Sequence, residues 1–447
     1  MPIRSAVPLL LAACAALAPA TAVRGQAAPT PADTVVPSRP LTLLDAIRLG
    51  RSRGVNAVLS ETSYRIASQG VNARRADILP QISGGGGFTR QTVNLSEFGF
   101  PGISGVTPAF SVWRFQVRGS EALLDPAAIV RLRAARDTLV AAGYDAQAVG
   151  EISGATAGLA YLRVLSADET VRARQADSTI AATLLEQARQ LVQAGVSPAI
   201  DATRSEVSFQ AVRTQLEVSR NGLDRARLDL LRALDLPSGT RLALADSLGL
   251  GSVNLPSDAD AAVAFARDHR AELAAERART EAARRSLSAI RAENLPAFGV
   301  SGAYQQSGPA LSSLDGSWNV QLLLSVPILD GFRRQSRAKA QALVVEAQET
   351  RQRDITNQVE TEARQAVLDL ASAQQQVAIA ERRLQLAEQE LSQAEERFRA
   401  GVAGSVETTN AQSSVIAARD ALIQARVSYG TARVSAYRAL GVIDQIQ

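Results

Sequence analysis

Between residues 331 and 400 an apolar side chain returns every seven positions, and this run sets the longest length scale in the chain. Leu370, Val377, Leu384, Leu391 and Phe398 are seven apart, with Ala373, Ala380, Ala387 and Ala394 on the intervening seam. Large and small residues alternating on a heptad seam let helices approach closely and supercoil left-handedly. At 1.5 Å per residue this helix is roughly 100 Å long. No globule of ordinary thickness has a core that long. The helix belongs to a bundle, a fibre or a tube, although 447 residues would otherwise suggest two or three compact domains.

The same pattern occurs twice. Gln193-Ala194-Gly195-Val196 followed by Ile200-Asp201-Ala202-Thr203 recurs 206 residues later as Arg399-Ala400-Gly401-Val402 followed by Val406-Glu407-Thr408-Thr409. At that offset Ala233-Leu234-Asp235-Leu236 matches Ala439-Leu440-Gly441-Val442, while Leu79-Pro80 matches Leu295-Pro296 at 216. The first-half seam reads Val164, Val171, Ser178, Leu185 and Val192 with Ala167, Ala181 and Ala188, and Arg174 interrupts its small-residue row. Conserved order at near-constant spacing marks an internal duplication. The halves run from 41 to 236 and from 258 to 442, joined by a connector at 237–257 that contains Gly, Pro and Ser. Shorter helices at about 42–79 and 199–234 add up to nearly one long one, so two could stack end to end beside it.

Four segments alternate at period two instead. Expected strands lie at about 82–92, 110–120, 297–306 and 317–326. Trp318, Val320, Leu322 and Leu324 form one apolar row, and Trp113, Phe115 and Val117 another. Segments of about ten residues, apolar on one face and with aromatics near their ends, suit a membrane β-barrel. They also suit an ordinary sheet packed on helices. Export, long helices and placement of the strands between helices favour the barrel. Four strands are too few to close one, so an oligomer must supply the rest.

Arg4 followed by an apolar run and small residues has the layout of a secretory signal peptide, expected over residues 1–27. A second reading has Leu11-Ala12-Ala13-Cys14 as a lipoprotein box with Cys14 acylated. No later run reaches the ~18 apolar residues of a transmembrane helix. One His, one Cys and one Met leave almost no material for zinc or histidine chemistry, and no cofactor is expected. His269 lies in a charged helix start and reads as exposed. The glycine run 84–87 lacks the following Gly-Lys-Ser/Thr of a phosphate loop. The 48 basic and 44 acidic side chains alternate along helical stretches, a solvated face rather than a nucleic-acid footprint. No catalytic constellation has spacing support, so an enzyme is not expected.

On these residues the chain resembles the TolC-type outer-membrane efflux protein family. The carriers are Leu-Pro before the first strand of each half, the Val326-Pro327-Ile328-Leu329-Asp330-Gly331 strand exit, and the Ala-Gly-Val helical turns. The resemblance implies a mainly α fold with membrane β: a duplicated helix-strand-strand-helix repeat. It further implies a homotrimer whose twelve strands form one barrel in outer-membrane lipid, continued by a coiled-coil tunnel across the periplasm. Its function would be passive export, partnered by a periplasmic adaptor and an inner-membrane pump. Trp113, Phe115, Val117, Trp318, Val320, Leu322 and Leu324 would then face lipid. Ala194, Gly195, Val196 and Ser197, with Ala400, Gly401, Val402 and Ala403, would be the tips on which the adaptor docks. Glycine just past a helix end also serves simply as a left-handed cap. Glu407, Asn410 and Asp201 become candidates for the periplasmic gate, and the neutral Asn410 implies weak cation selectivity there. Glu407 can equally be a helix-N-terminal acid favoured by the macrodipole. A type I protein-secretion duct is the nearest alternative, and an exported coiled-coil protein without a pore is the alternative of another class.

Overall fold

The computed structural model describes residues 40–95, 105–249, 251, 253–400 and 402–446. The expected signal peptide, Cys14 and Gly401 lie outside the described residues. Chain order is α1 (Leu43–Arg53), α2 (Val55–Ala76), β1 (Gln81–Gln91), β2 (Phe110–Leu124), α3 (Pro126–Gln193) and α4 (Ala199–Ala233). The second half continues with α5 (Ala259–His269), α6 (Ala271–Ala292), β3 (Ala297–Gly308), β4 (Asp315–Ser325), α7 (Arg333–Arg399) and α8 (Ser405–Ala439), then a 3-10 turn at Ile443–Gln445.

The two long helices have 68 and 67 residues, each about 100 Å by its rise. Along α3 pack α1, α2, α4 and α6, and along α7 pack α5, α6 and α8, so short helices in succession flank each long one and α6 lies against both. The seam is as its heptads require. Ala373, Val377 and Ala380 are buried against Ala425 and Tyr429, and Ala387, Leu391 and Ala394 against Ala411, Val415 and Ala418.

The duplicated motifs prove to be helix caps. Past α3, the N–H of Val196 donates to the Leu191 carbonyl and that of Gly195 to Val192, with Gly195 at φ +70. This is the Schellman arrangement, which satisfies carbonyls that a helix end orphans. Val402 donates to Arg397 in the same way past α7. The matched quartets at 233–236 and 439–442 repeat it: Leu236 donates to Leu231 and Val442 to Tyr437. Gly441 takes φ +76 and Asp235 φ +53, the latter among the few non-glycine types that tolerate that region.

One expectation needs correction. The first helix is not continuous over 42–79 but breaks at Gly54, whose N–H caps Gly50. The break lets α1 cross α3 at very short range. A Cβ on Gly50 would clash with the Ala157 Cβ and lie 2.9 Å from the Ser153 carbonyl oxygen. The second half breaks at the matching place, Arg270, between α5 and α6. The buried Arg270 guanidinium donates to Glu272, to Glu362 at 2.8 Å and to the Ala439 carbonyl. Around these breaks lies the largest apolar core, including Leu41, Ile47, Tyr161, Leu230, Tyr437 and Ile443. Tyr161 Oη sits 2.8 Å from the Leu41 carbonyl and 3.0 Å from Asp246 Oδ2, fastening the connector to the first helix.

Candidate channel wall and helical tips

The four strands form one antiparallel sheet in the order β1-β2-β3-β4. Register decides what each face carries, because directly paired residues share a face. Phe88 pairs with Trp113, Val117 with Tyr304, and Tyr304 with Trp318. Continuing the alternation, Ile82, Trp113, Phe115, Val117, Phe298, Val300, Tyr304, Trp318, Val320, Leu322 and Leu324 all lie on one face. All seven residues expected to face lipid are on it. Leu322 is 79% and Trp318 77% exposed in the single chain, an apolar wall with nothing of its own chain covering it. The opposite face carries Ser83, Thr89, Arg114, Gln116, Arg118, Ser301, Gln305, Asn319 and Gln321.

Most of the aromatic side chains gather toward one end. The Phe88 and Trp113 rings lie 4.7 Å apart, tilted by 48°, and Trp113 stacks 6.5 Å from Phe115. Gly86 leaves room for this: a Cβ there would lie 2.9 Å from the Phe115 ring. β2 continues to Leu124 through an irregularity at Ala122/Leu124, where the chain turns out of the sheet into α3. Asp125 then caps α3, accepting from the Ala128 N–H at 2.9 Å, with Pro126 at the first helical position.

At the far end of the long helices, Ala194, Gly195 and Val196 are exposed, Ser197 is half-buried, and Ala400 and Val402 are exposed beside half-buried Ala403. Asp201 does not stand where a gate acid must. It is 5% exposed, and its carboxylate accepts from Ser405 Oγ at 2.5 Å and Ser197 Oγ at 3.1 Å. It is a bracket tying the start of α4 to the start of α8, because the duplicated tips meet face to face there. Glu407 and Asn410 are exposed in the first turns of α8. Glu407 lies 2.9 Å from the Arg397 guanidinium, with both side chains largely in solvent.

Two charged clusters carry weaker sequence signals. Arg174, the interruption in the alanine row, is buried and donates to Asp177 at 3.0 Å and to both oxygens of Asp420 at 2.5–2.6 Å. Arg419 completes the group, reaching Asp177 at 2.6 Å. The break in the heptad and the acid three residues on were its local signals, since Asp420 and Arg419 lie more than 240 residues from their partners in α3. Near the helix breaks, burial, reinforced by Glu272, pushes the Glu151 carboxyl up to about 7. No sequence pattern marks it.

Residues 263–442 match the outer membrane efflux protein family profile. The second half of the chain is therefore similar to the outer membrane efflux protein family. Protein CyaE of Bordetella pertussis is 28% identical over 419 residues, covering 90% of this chain and 85% of the relative. Among solved structures, the Campylobacter jejuni CmeC outer membrane channel superposes with a TM-score of 0.79 at 14% identity, covering 90% of this chain and 86% of its own. The open-state Neisseria gonorrhoeae MtrE outer membrane channel gives 0.76 at 17% identity, covering 91% and 90%. Those two likenesses establish the fold. The two-faced sheet and the paired long helices are the two parts of that fold in this chain.

Proposed function

We propose that three copies join edge to edge into a twelve-stranded barrel and that the assembly is the passive exit duct of a tripartite small-molecule efflux pump. The observation that carries this reading is the sheet itself: apolar on one face, polar on the other, and unpaired along both β1 and β4. An exposed pair of edges is a liability for a lone chain, and closure into a barrel removes it. Strands of 11 to 15 residues, tilted about 45°, span the ~25 Å apolar band of an outer-membrane barrel. Trp113, Phe115, Val117, Trp318, Val320, Leu322 and Leu324 then contact lipid.

The exposed tips around Ala194 and Val402 present apolar Val196 and Val402 to a periplasmic adaptor, which links the duct to an inner-membrane pump. Glu407 and Asn410, near the same end, line the periplasmic entrance, where three-fold symmetry brings the Glu407 copies together. Heat-modifiable migration, outer-membrane fractionation and ion conductance in a planar bilayer test the duct; a soluble, non-conducting oligomer refutes it. Deleting the gene tests the cargo: raised sensitivity to small toxic compounds supports efflux, while loss of a secreted polypeptide alone overturns it for protein secretion.

A further inference from the structure

The polar face of the sheet has a charge that the fold does not require. On β2, Arg114 and Arg118 both point to that face, opposite the row of Trp113, Phe115 and Val117. They are four residues apart, about 13 Å along the strand. Their cross-strand partners are neutral: Gly87 and Ser307 for Arg114, Ser83 and Ala303 for Arg118. Among the described residues neither arginine has a carboxylate partner, although most arginines of the helices are ion-paired. The only described acid on this face is Asp315, at the outer end of β4 and two strands from Arg114. A hollow on the same side is lined by Gln116, Arg118, Gln305, Asn319 and Gln321, so the sheet presents these residues to a concavity.

We infer that the barrel lumen of this channel favours anionic solutes, because Arg114 and Arg118, repeated by three-fold symmetry, form two stacked positive rings on its wall. The inference rests on the trimeric barrel proposed above. Twelve strands ~4.8 Å apart and tilted ~45° enclose a barrel about 26 Å across at the backbone. Side chains narrow that further, so permeating ions pass close to one Debye length, ~8–10 Å, from the guanidinium groups. Among the described residues, six such cations against three rim carboxylates per trimer leave a net positive lumen. Uncompensated arginines in a solvated wall act on passing ions through space rather than by a fixed binding geometry. The selectivity is therefore graded, and screened by salt. It selects by sign and leaves size to the diameter, which suits a duct for small organic carboxylates, sulfonates or phosphates.

The test is the reversal potential of the purified full-length protein in a planar bilayer under a potassium chloride gradient. Coulomb attraction at these distances, screened at ~0.1 M salt, gives an anion-over-cation permeability ratio about threefold higher than in Arg114→Gln/Arg118→Gln. Arg114→Lys/Arg118→Lys keeps the charges and retains the wild-type ratio, which separates charge from any repacking of the strand. The difference also grows as salt is lowered. Conducting wild-type and Gln channels with the same reversal potential overturn this inference and leave the duct reading intact. A wild-type protein that inserts but never conducts overturns both.

Discussion

Replacing Arg174 by alanine restores the small-residue row that its homologous position, Ala380, keeps in the second half, yet the substitution should destabilise the protein. Arg174 is 8% exposed and Asp177 1%, so neither charge can turn to solvent when its partner goes. Breaking such a buried pair costs ~3–5 kcal/mol when one charge is left uncompensated. Two features reduce that here. Asp177 keeps Arg419 at 2.6 Å, and Asp420, 44% exposed, rehydrates when released. The expected loss for Arg174→Ala is therefore about 2–3 kcal/mol, of which the exposed Asp420 contact supplies no more than ~1 kcal/mol. Asp420→Ala should cost that smaller amount alone. Urea titration of detergent-solubilised protein, followed by far-ultraviolet circular dichroism, measures both variants. A double-mutant cycle between Arg174 and Asp177 should return a coupling of ~1–3 kcal/mol that added salt barely changes. Arg174→Ala within ~0.5 kcal/mol of wild type, or Asp420→Ala equal to it, refutes the assignment of the burden to the buried pair.

Gly50→Ala forces a Cβ onto Ala157 and should cost ~1–3 kcal/mol, whereas Gly222→Ala, in open space within α4, should be neutral or stabilising by up to ~1 kcal/mol; the same urea titration reads both. Burial raises Glu151 from an ordinary carboxyl value to about 7, so the folded protein holds its proton more tightly than the unfolded chain. Stability is then full below pH ~4.5 and falls as pH rises toward ~7, by at most about 3 kcal/mol, and Glu151→Gln should flatten that slope. At the tips, Ser405→Ala removes a 2.5 Å contact to buried Asp201 and should speed proteolytic nicking near Ala400 without changing resistance elsewhere. Glu407→Ala should change single-channel conductance at low salt, and an identical trace removes Glu407 from the gate. On the sheet, Leu322→Arg should block outer-membrane assembly, at ~2–4 kcal/mol for a charge on the lipid face, while Gln321→Arg, one residue away on the other face, should assemble normally.

What was legible in the sequence and what was not divide along a physical line. The heptad seam was legible because every position of a two-helix contact writes its size requirement into one continuous run: Val377, Leu391 and Ala394 are buried as their spacing demands. The caps were legible because a left-handed residue leaves few choices, so Gly195 and Gly441 stand out and even Asp235 keeps its place in the matched quartet. The first strand was the least legible, and Gly86 explains why. Its apolar surface is contributed by Phe115 of the neighbouring strand, which fills the space a side chain would take, so β1 shows glycine where the alternation rule asks for a large residue. A row of side chains on a sheet is a property of several strands together, and no single segment need display it.

The polar residues follow a different rule. Asp201 and Glu407 occupy equivalent places in the duplicated sequence, six residues past matched glycines, yet one is buried and the other exposed. Duplication fixes which residues can be superposed, but the two halves pack against each other at the tips, and only one copy of a given position can face inward at that contact. Asp201 takes the inward place and is satisfied by Ser197 and Ser405; Glu407 is left outside with Arg397. Arg174 and Ala380 show the same divergence higher in the tunnel, where one half carries the charge and the other the small residue of a single repeated seam. Such asymmetry is what two unlike halves need in order to pack as partners. It gives the otherwise apolar contact between α3 and α8 one polar, geometrically specific point, whereas the seam between α7 and α8 is apolar and repetitive. A lateral shift of α7 and α8 against α3 would therefore break the bidentate Arg174–Asp420 contact before it disturbed either alanine seam.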